Sequence, residues 1–237
     1  MMNFRHIEEL DLAVRVANHA VLAGRVRGEE RLAHYLYDRW YATAPRAGAI
    51  PEQRRPSGRH WQVWSPHWSD ETDGLGSDLV RLYLSCSAEN APRVVGLVTA
   101  TAMSWQEPWR FWSVTSEGAD SRADTTVLHL PIASLGRLRA ELQALVVQLR
   151  PLLRPQTPAF TLRIGQGAAL AQNPADGASF GRHRCSLVAR AVVRSRGQLH
   201  RDQVTRATYT FAEAGVDPER PYRETHRGTW DQPWRAY

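Results

Sequence analysis

The octapeptide LVRLYLSC, residues 79–86, leaves this chain the least freedom of any stretch. Val80, Leu82, Leu84 and Cys86 alternate with Arg81, Tyr83 and Ser85. That period of two belongs to a strand whose faces meet different surroundings. One face demands an apolar cover, and the other presents a guanidinium and a phenol. HWQVW (60–64), WRFWSVT (109–115), DTTVLHLP (124–131) and PAFTLRIG (158–165) read as four more strands. In the last, Phe160, Leu162 and Ile164 point inward, with Thr161 and Arg163 opposite.

Helical spacing fills much of the rest. Leu10, Val14, Ala17 and Val21 repeat within 4–44, interrupted at Gly24 and Gly28, and Leu32, Tyr35, Leu36 and Trp40 share one side of the next segment. Pro92 opens a helix that runs to Met103. Residues 132–149 form the cleanest amphipathic helix, and two more are expected at 179–195 and 202–214, the last closed by Gly215. The stretches 44–60 and 65–78 read as loops, the second acidic and, where the tryptophans line a peptide groove, able to close over a bound peptide. The expected fold is α+β: a single domain over 1–237 with a central, mostly antiparallel sheet flanked by helices. Its helical N-terminal part is 1–58 and its α+β body 59–237.

Composition narrows the function. With 43% hydrophobic and 23% charged residues the chain is an ordinary globular one. No apolar run approaches about 18 residues, so no membrane partner is expected. Acidic residues stand where a signal peptide needs an apolar core, so a cytoplasmic location is expected. Cys86 and Cys185 have no ligand-spaced neighbours, so neither a disulfide framework nor a metal is expected, and no cofactor. All 30 basic residues are arginine. Lysine-dependent mechanisms are therefore excluded in their usual form, while a fork for phosphate and carboxylate is abundant. The net charge of +6 is interspersed with acidic residues and accompanied by no nucleic-acid motif, so nucleic acid is not an expected partner. GQGAAL is not a nucleotide loop, because its glycines lack Walker or Rossmann spacing and no Gly-Lys-Ser/Thr exists.

The stretch GQGAALAQNPADGASFGRHRC (165–185) combines small residues with arginines, a composition suited to holding an anion. On the helix that follows, Arg184 falls on the apolar arc, one turn from both Phe180 and Val188. An arginine there needs a partner, either an internal carboxylate or the phosphate or carboxylate of a ligand. Arg81 and Tyr83 share a strand face, Arg163 lies on a polar face, and Arg122 precedes a strand. Trp61, Trp64, Trp68, Trp105, Trp109 and Trp112 either fill the core or line a peptide groove.

RLYL, SRADTTVLHL, PAFTLRIGQGAALAQNP, SFGRHRCSLVARAV and AGVDPERPYRE resemble, in that order, the HopA-type effector-like family; LAHYLYDRWY is similar to its N-terminal part. The resemblance implies the lyase component of class V lanthipeptide or thioamitide biosynthesis, distantly similar to phosphothreonine lyases. A small-molecule-type Ser/Thr kinase phosphorylates a ribosomal precursor peptide. The HopA-like partner then removes phosphate without a metal, leaving dehydroalanine or dehydrobutyrine, and a cyclase is a further implied partner. Arg81, Arg122, Arg163 and Arg184 are the phosphate-binding candidates. By resemblance Arg81 and Tyr83 stand where phosphothreonine lyases carry Lys-x-His, and Tyr83 suits proton donation to the leaving phosphate. Where the family carries lysines, this chain has Trp112 and Leu162. The proton acceptor is then sought among His129, His183, Asp124 and a deprotonated Tyr83. The alternative is a non-catalytic module that holds the phosphopeptide or its leader for the kinase or cyclase.

Overall fold

A computed structural model describes residues 4–41, 60–74, 76–114, 122–225 and 230–234. Most of the loop expected at 44–60 and the 58/59 boundary lie outside the described residues. The five alternating segments and a sixth strand at 168–172 form one sheet in the order β1-β3-β4-β2-β6-β5, antiparallel throughout. The strands are β1 (His60–Trp64), β2 (Leu79–Leu84), β3 (Arg110–Val114), β4 (Thr126–Pro131), β5 (Leu162–Gly165) and β6 (Ala168–Gln172).

Cross-strand register sorts the side chains into rows. Leu162, Leu170, Leu82, Leu128 and Phe111 stand abreast on one face. All five are buried, and Leu82, Leu128, Leu170 and Phe111 are wholly so. Helices α4 (Ala91–Ala102) and α6 (Arg139–Leu149) belong to the layer that covers them. Burying each such side chain stabilises the fold by roughly 1.5–3 kcal/mol. The other face carries Arg81 and Tyr83 and meets a second helical layer. This layer consists of α1 (Phe4–Leu22), α2 (Glu29–Leu36) with its π-helical extension Tyr37–Tyr41, α7 (Phe180–Arg194) and α8 (His200–Glu213). The N-terminal helices α1 and α2 pack on α7, from the far end of the chain, and share its core.

The expected α+β architecture is the observed one, with local corrections. The helix expected over 132–149 is two: α5 (Ile132–Leu135), a turn at 136–138, and α6. Gly136 is the weak point for helix propagation. Glu107 then holds the turn, accepting from Ser134 at 2.6 Å and from the Arg137 guanidinium. Leu135, Leu138, Leu142, Leu145 and Leu149 are nevertheless buried, as their spacing predicts.

The strand expected from 158 starts only at Leu162. Phe160 adopts φ 62°, its N–H donates to the Glu9 carboxylate at 3.0 Å, and its ring packs edge-on against Trp40 and Phe211. A left-handed phenylalanine is costly, by roughly 1–3 kcal/mol, and burial of the ring in the helical layer offsets it. Within 165–185, residues 168–172 are β6, paired to β2, and not part of an anion-holding loop. Gly167 makes the turn into it at φ 65°, where a Cβ would come within 2.8 Å of Leu153 Cβ.

Both cysteines are buried. Among the described residues no group of His, Cys, Asp and Glu could hold a metal ion, and no helix is long and apolar enough to cross a membrane.

Candidate functional site

The face of the sheet opposite the leucine row forms the floor of a cleft of about 400 Å³. Two rows of side chains make that floor. Tyr83, Val127, Trp112 and Gln62 stand abreast on β2, β4, β3 and β1. Arg81, His129 and Arg110 form the next row on β2, β4 and β3. Tyr37 and Tyr41 from the π-helical turn, Asp124 before β4, and Ser179 and Gly181 at the start of α7 complete the walls.

The two floor arginines are held differently. Arg81 Nε donates to Asn173 Oδ1 at 2.5 Å, and Nη2 to the Ala178 carbonyl at 3.3 Å. These bonds anchor the guanidinium to the segment leading into α7 and leave part of its fork for a ligand. Arg110 lies under the Trp68 ring, 4.9 Å from its centroid. Trp68 belongs to the 65–78 segment, so that segment does reach the cleft, followed by the short helix α3 (Asp70–Asp73) and a helical turn at Gly76–Asp78.

His129 sits between these guanidinium groups in the register. Burial first, then Arg81 and Arg110, push its pKa down to about 3, and its Nδ1 is buried without a hydrogen-bond partner. It is a neutral imidazole at neutral pH. Tyr83 is buried, and burial raises its phenol above the usual tyrosine range, with Arg81 offsetting only part of this. Tyr41 beside it is raised well above that range for the same first reason. Tyr83 therefore keeps its proton and is able to donate it, which disfavours a deprotonated Tyr83 as the proton acceptor.

Asp124 is fully engaged. It receives Arg122 Nε at 3.0 Å and Nη2 at 2.9 Å, a two-pronged ion pair, and the Tyr37 hydroxyl at 3.1 Å. Arg122 Nη2 also donates to the Tyr37 hydroxyl at 3.0 Å. This closed triangle fixes the wall around Tyr37, and Arg122 reaches the cleft only through Asp124 and Tyr37.

Three candidates lie elsewhere. Arg163 shares the Tyr83 row but stands beyond Ala169 on the edge strand, exposed, with Nε donating to the Gly165 carbonyl at 3.2 Å. Arg184 is wholly buried, as its place on the apolar arc predicts, but its first partner is a main-chain carbonyl, that of Pro221, at 2.7 Å. Burial lowers its pKa to about 10, with Glu224 the nearest opposing influence. Its guanidinium lies 4.7 Å over Phe180, and Nη1 contacts His183 Nδ1 at 2.5 Å. His183, lowered to about 4 by burial and then by Arg184, lends its lone pair to that contact and lines no part of the cleft. The convergence thus includes Arg81, Tyr83, Asp124 and His129, with Arg122 behind the wall.

Arg110, Tyr37, Tyr41 and Gln62 were not singled out from sequence. The alternation of WRFW, opposing Arg110 and Trp112 to Phe111, was the available signal for the first. Trp112 does face the cleft, whereas Leu162 belongs to the opposite, apolar row, so a lysine there would enter the core. Of the other tryptophans, Trp105 and Trp109 are core, and Trp64 is 57% exposed.

The N-terminus of α7 adds to the positive field. Ser179 and Gly181 line the cleft, which brings the positive end of the α7 dipole to its wall, and Ser179 Oγ caps the Arg182 N–H at 3.4 Å. Gly181 permits this approach, because a Cβ there would overlap the Tyr41 ring. With Asp124 neutralised by Arg122, the cleft suits an anion, and it offers a phenol donor and a neutral imidazole beside it.

A family profile described as the HopA1 effector protein family matches residues 67–223. Among curated proteins there is no significant match. Among solved structures, the chain is similar to the effector protein from Pseudomonas syringae pv. syringae strain 61. Their identity is 13% over 93% of this chain and 97% of that one, with a TM-score of 0.58. For the effector protein from Pseudomonas syringae pv. tomato strain DC3000 the figures are 14%, 94% and 83%, with a TM-score of 0.49. At such identity the first likeness shows a shared fold.

Proposed function

The chain belongs to the HopA1 effector protein family, and from that premise we propose that it is a phosphoserine/phosphothreonine lyase acting on a kinase-phosphorylated ribosomal precursor peptide. The observation that carries the reading is the floor row Arg81–His129–Arg110 with Tyr83 beside it. Two cations, a neutral base and a protonated acid stand together, which is what β-elimination of phosphate needs.

In the proposed step Arg81, Arg110 and the α7 N-terminus hold the phosphate. His129 takes the Cα proton, the released electron pair forms the Cα=Cβ bond, and the Cβ–O bond breaks. Tyr83 gives its phenolic proton to the departing bridging oxygen. Electrostatics couples these events. Burial, and after it the two guanidinium groups, keeps His129 from accepting a proton. A phosphate dianion between them offsets the repulsive share of that shift, so the imidazole becomes more basic when substrate is present. Asp124, through Arg122 and Tyr37, positions the wall.

The weak basicity of His129 in a cleft without an amine favours a second reading, a module that holds the phosphopeptide for the kinase or a cyclase. One experiment separates the two. A kinase-phosphorylated precursor is incubated with the protein and followed by mass spectrometry, with a thiol added to trap the alkene. Loss of phosphoric acid and thiol addition support the lyase, slowed by Tyr83→Phe and abolished by His129→Gln. Binding of an intact phosphopeptide supports the holding module. Neither binding nor elimination overturns both.

A further inference from the structure

A second depression of about 360 Å³ lies between α2 and α7, lined by Glu29, Glu30, Ala33 and His34 on one side and by Arg182, Ser186 and Arg190 on the other. Three contacts give its direction. The Tyr41 ring abuts Gly181, Arg182 stacks on Tyr37 at 5.6 Å, and Arg190 Nε pairs with Glu29 at 3.0 Å. The helices are therefore antiparallel, and the depression runs along their seam from the cleft outward. Tyr37 belongs to the cleft and Arg182 to the groove, so their stack is the threshold between the two. Arg182, Ser186 and Arg190 follow at helical i, i+4, i+8 spacing on one side, with small Ser186 and Ala33 keeping the channel open.

Arg182 is exposed and, among the described residues, has no carboxylate partner, whereas Arg190 has Glu29. From Arg182 to Arg190 the helix rises about 12 Å, which about four residues of extended peptide would span.

We propose that this groove binds the polypeptide flanking the phosphorylated residue, about four residues in extended form. An anionic side chain near the phosphosite would lie against Arg182. The proposal rests on the reading of the cleft as the phosphoresidue site. It makes the substrate a peptide segment with local acidic character, distinct from an isolated phosphoamino acid.

The test compares phosphopeptides of increasing length, with Asp or Ala flanking the phosphosite, against a capped phosphoamino acid. Ser186→Trp fills the groove without touching the cleft, and Arg182→Gln removes the charge. Ser186→Trp should lower kcat/KM for the longer peptides by at least about tenfold and leave the capped phosphoamino acid unchanged. Arg182→Gln should erase a preference of about twofold to fivefold for flanking Asp over Ala. Equal losses on short and long substrates, or none on either, overturn the groove. If nothing is eliminated, the lyase reading fails by itself. The groove is then judged by fluorescence-anisotropy Kd values for the same peptides, with the same expected losses and the same overturning results.

Discussion

Replacing Gly181 by alanine should destabilise the protein through one neighbour, and the size of the effect follows from the packing. A Cβ at 181 would lie 2.5 Å from Tyr41 Cδ1 and 2.6 Å from Cζ, and nearer still to Cε1. Real carbon contacts of this kind need at least about 3.4 Å, so α7 or the ring must move. Tyr41 is only 1% exposed and stacks on Tyr37 at 5.6 Å, which leaves the ring little room. Overpacking of this kind costs roughly 1–3 kcal/mol, and overlap with three ring atoms belongs at the upper end. Alanine in place of helical glycine returns at most about 1 kcal/mol. The net loss is about 2 kcal/mol, a fall in Tm of roughly 4–8 °C for a chain of this length. Removing the ring reverses the sign. In a Tyr41→Ala background the same substitution should stabilise by up to about 1 kcal/mol, because only the helix propensity remains. Thermal and urea unfolding of the four proteins in this double-mutant cycle measure the coupling. An equal shift from Gly181→Ala in both backgrounds would refute the claim that Tyr41 and α7 meet through this glycine.

Asp124→Ala leaves Arg122 without its two-pronged partner, and a broken, largely buried ion pair should cost about 3 kcal/mol, read from the urea midpoint. Leu82→Ala, in the wholly buried row, should cost roughly 2–5 kcal/mol by the same assay. Stability should fall as pH drops from about 6.5 toward 4. His129 and His183 are held to about 3 and about 4 when folded, so below the ordinary histidine pKa the unfolded chain binds protons that the folded one refuses. Each contributes up to about 1.4 kcal/mol per pH unit there, and His129→Gln with His183→Gln should flatten the profile. Tyr83→Phe should slow elimination by about 10²–10⁴-fold while phosphopeptide affinity changes little.

Legibility from sequence followed the range of the signal. β2 was plain because Leu82 and Arg81 alternate within a few residues. The burial of Arg184 was plain because Phe180 and Val188 sit one turn away on the same helix. Its partner was not, because the Pro221 carbonyl lies 37 positions along the chain. β6 carries no local signal because Ala-Ala-Leu-Ala has neither alternation nor β-branched residues, and pairing with β2 decides its conformation. Phe160 left the strand pattern because a distant carboxylate, Glu9, and two distant rings hold it. In the cleft, Arg81 and Tyr83 were legible as a pair on one strand. Their placement beside His129 and Arg110 depended on cross-strand register, which no local stretch specifies.

That register also bears on how such a scaffold changes over generations. Cleft residues and core residues alternate along β2, β3 and β4, so a substitution at one cleft position leaves the leucine row intact. Trp112 illustrates the freedom: an indole occupies a floor position while its neighbour Phe111 keeps the core closed. Insertion or deletion of one residue within β2 has no such freedom, since it would exchange Arg81 for Leu82 and spoil both faces together. Lineages built on this sheet can therefore exchange acids, bases and anion ligands one at a time, while strand lengths stay locked.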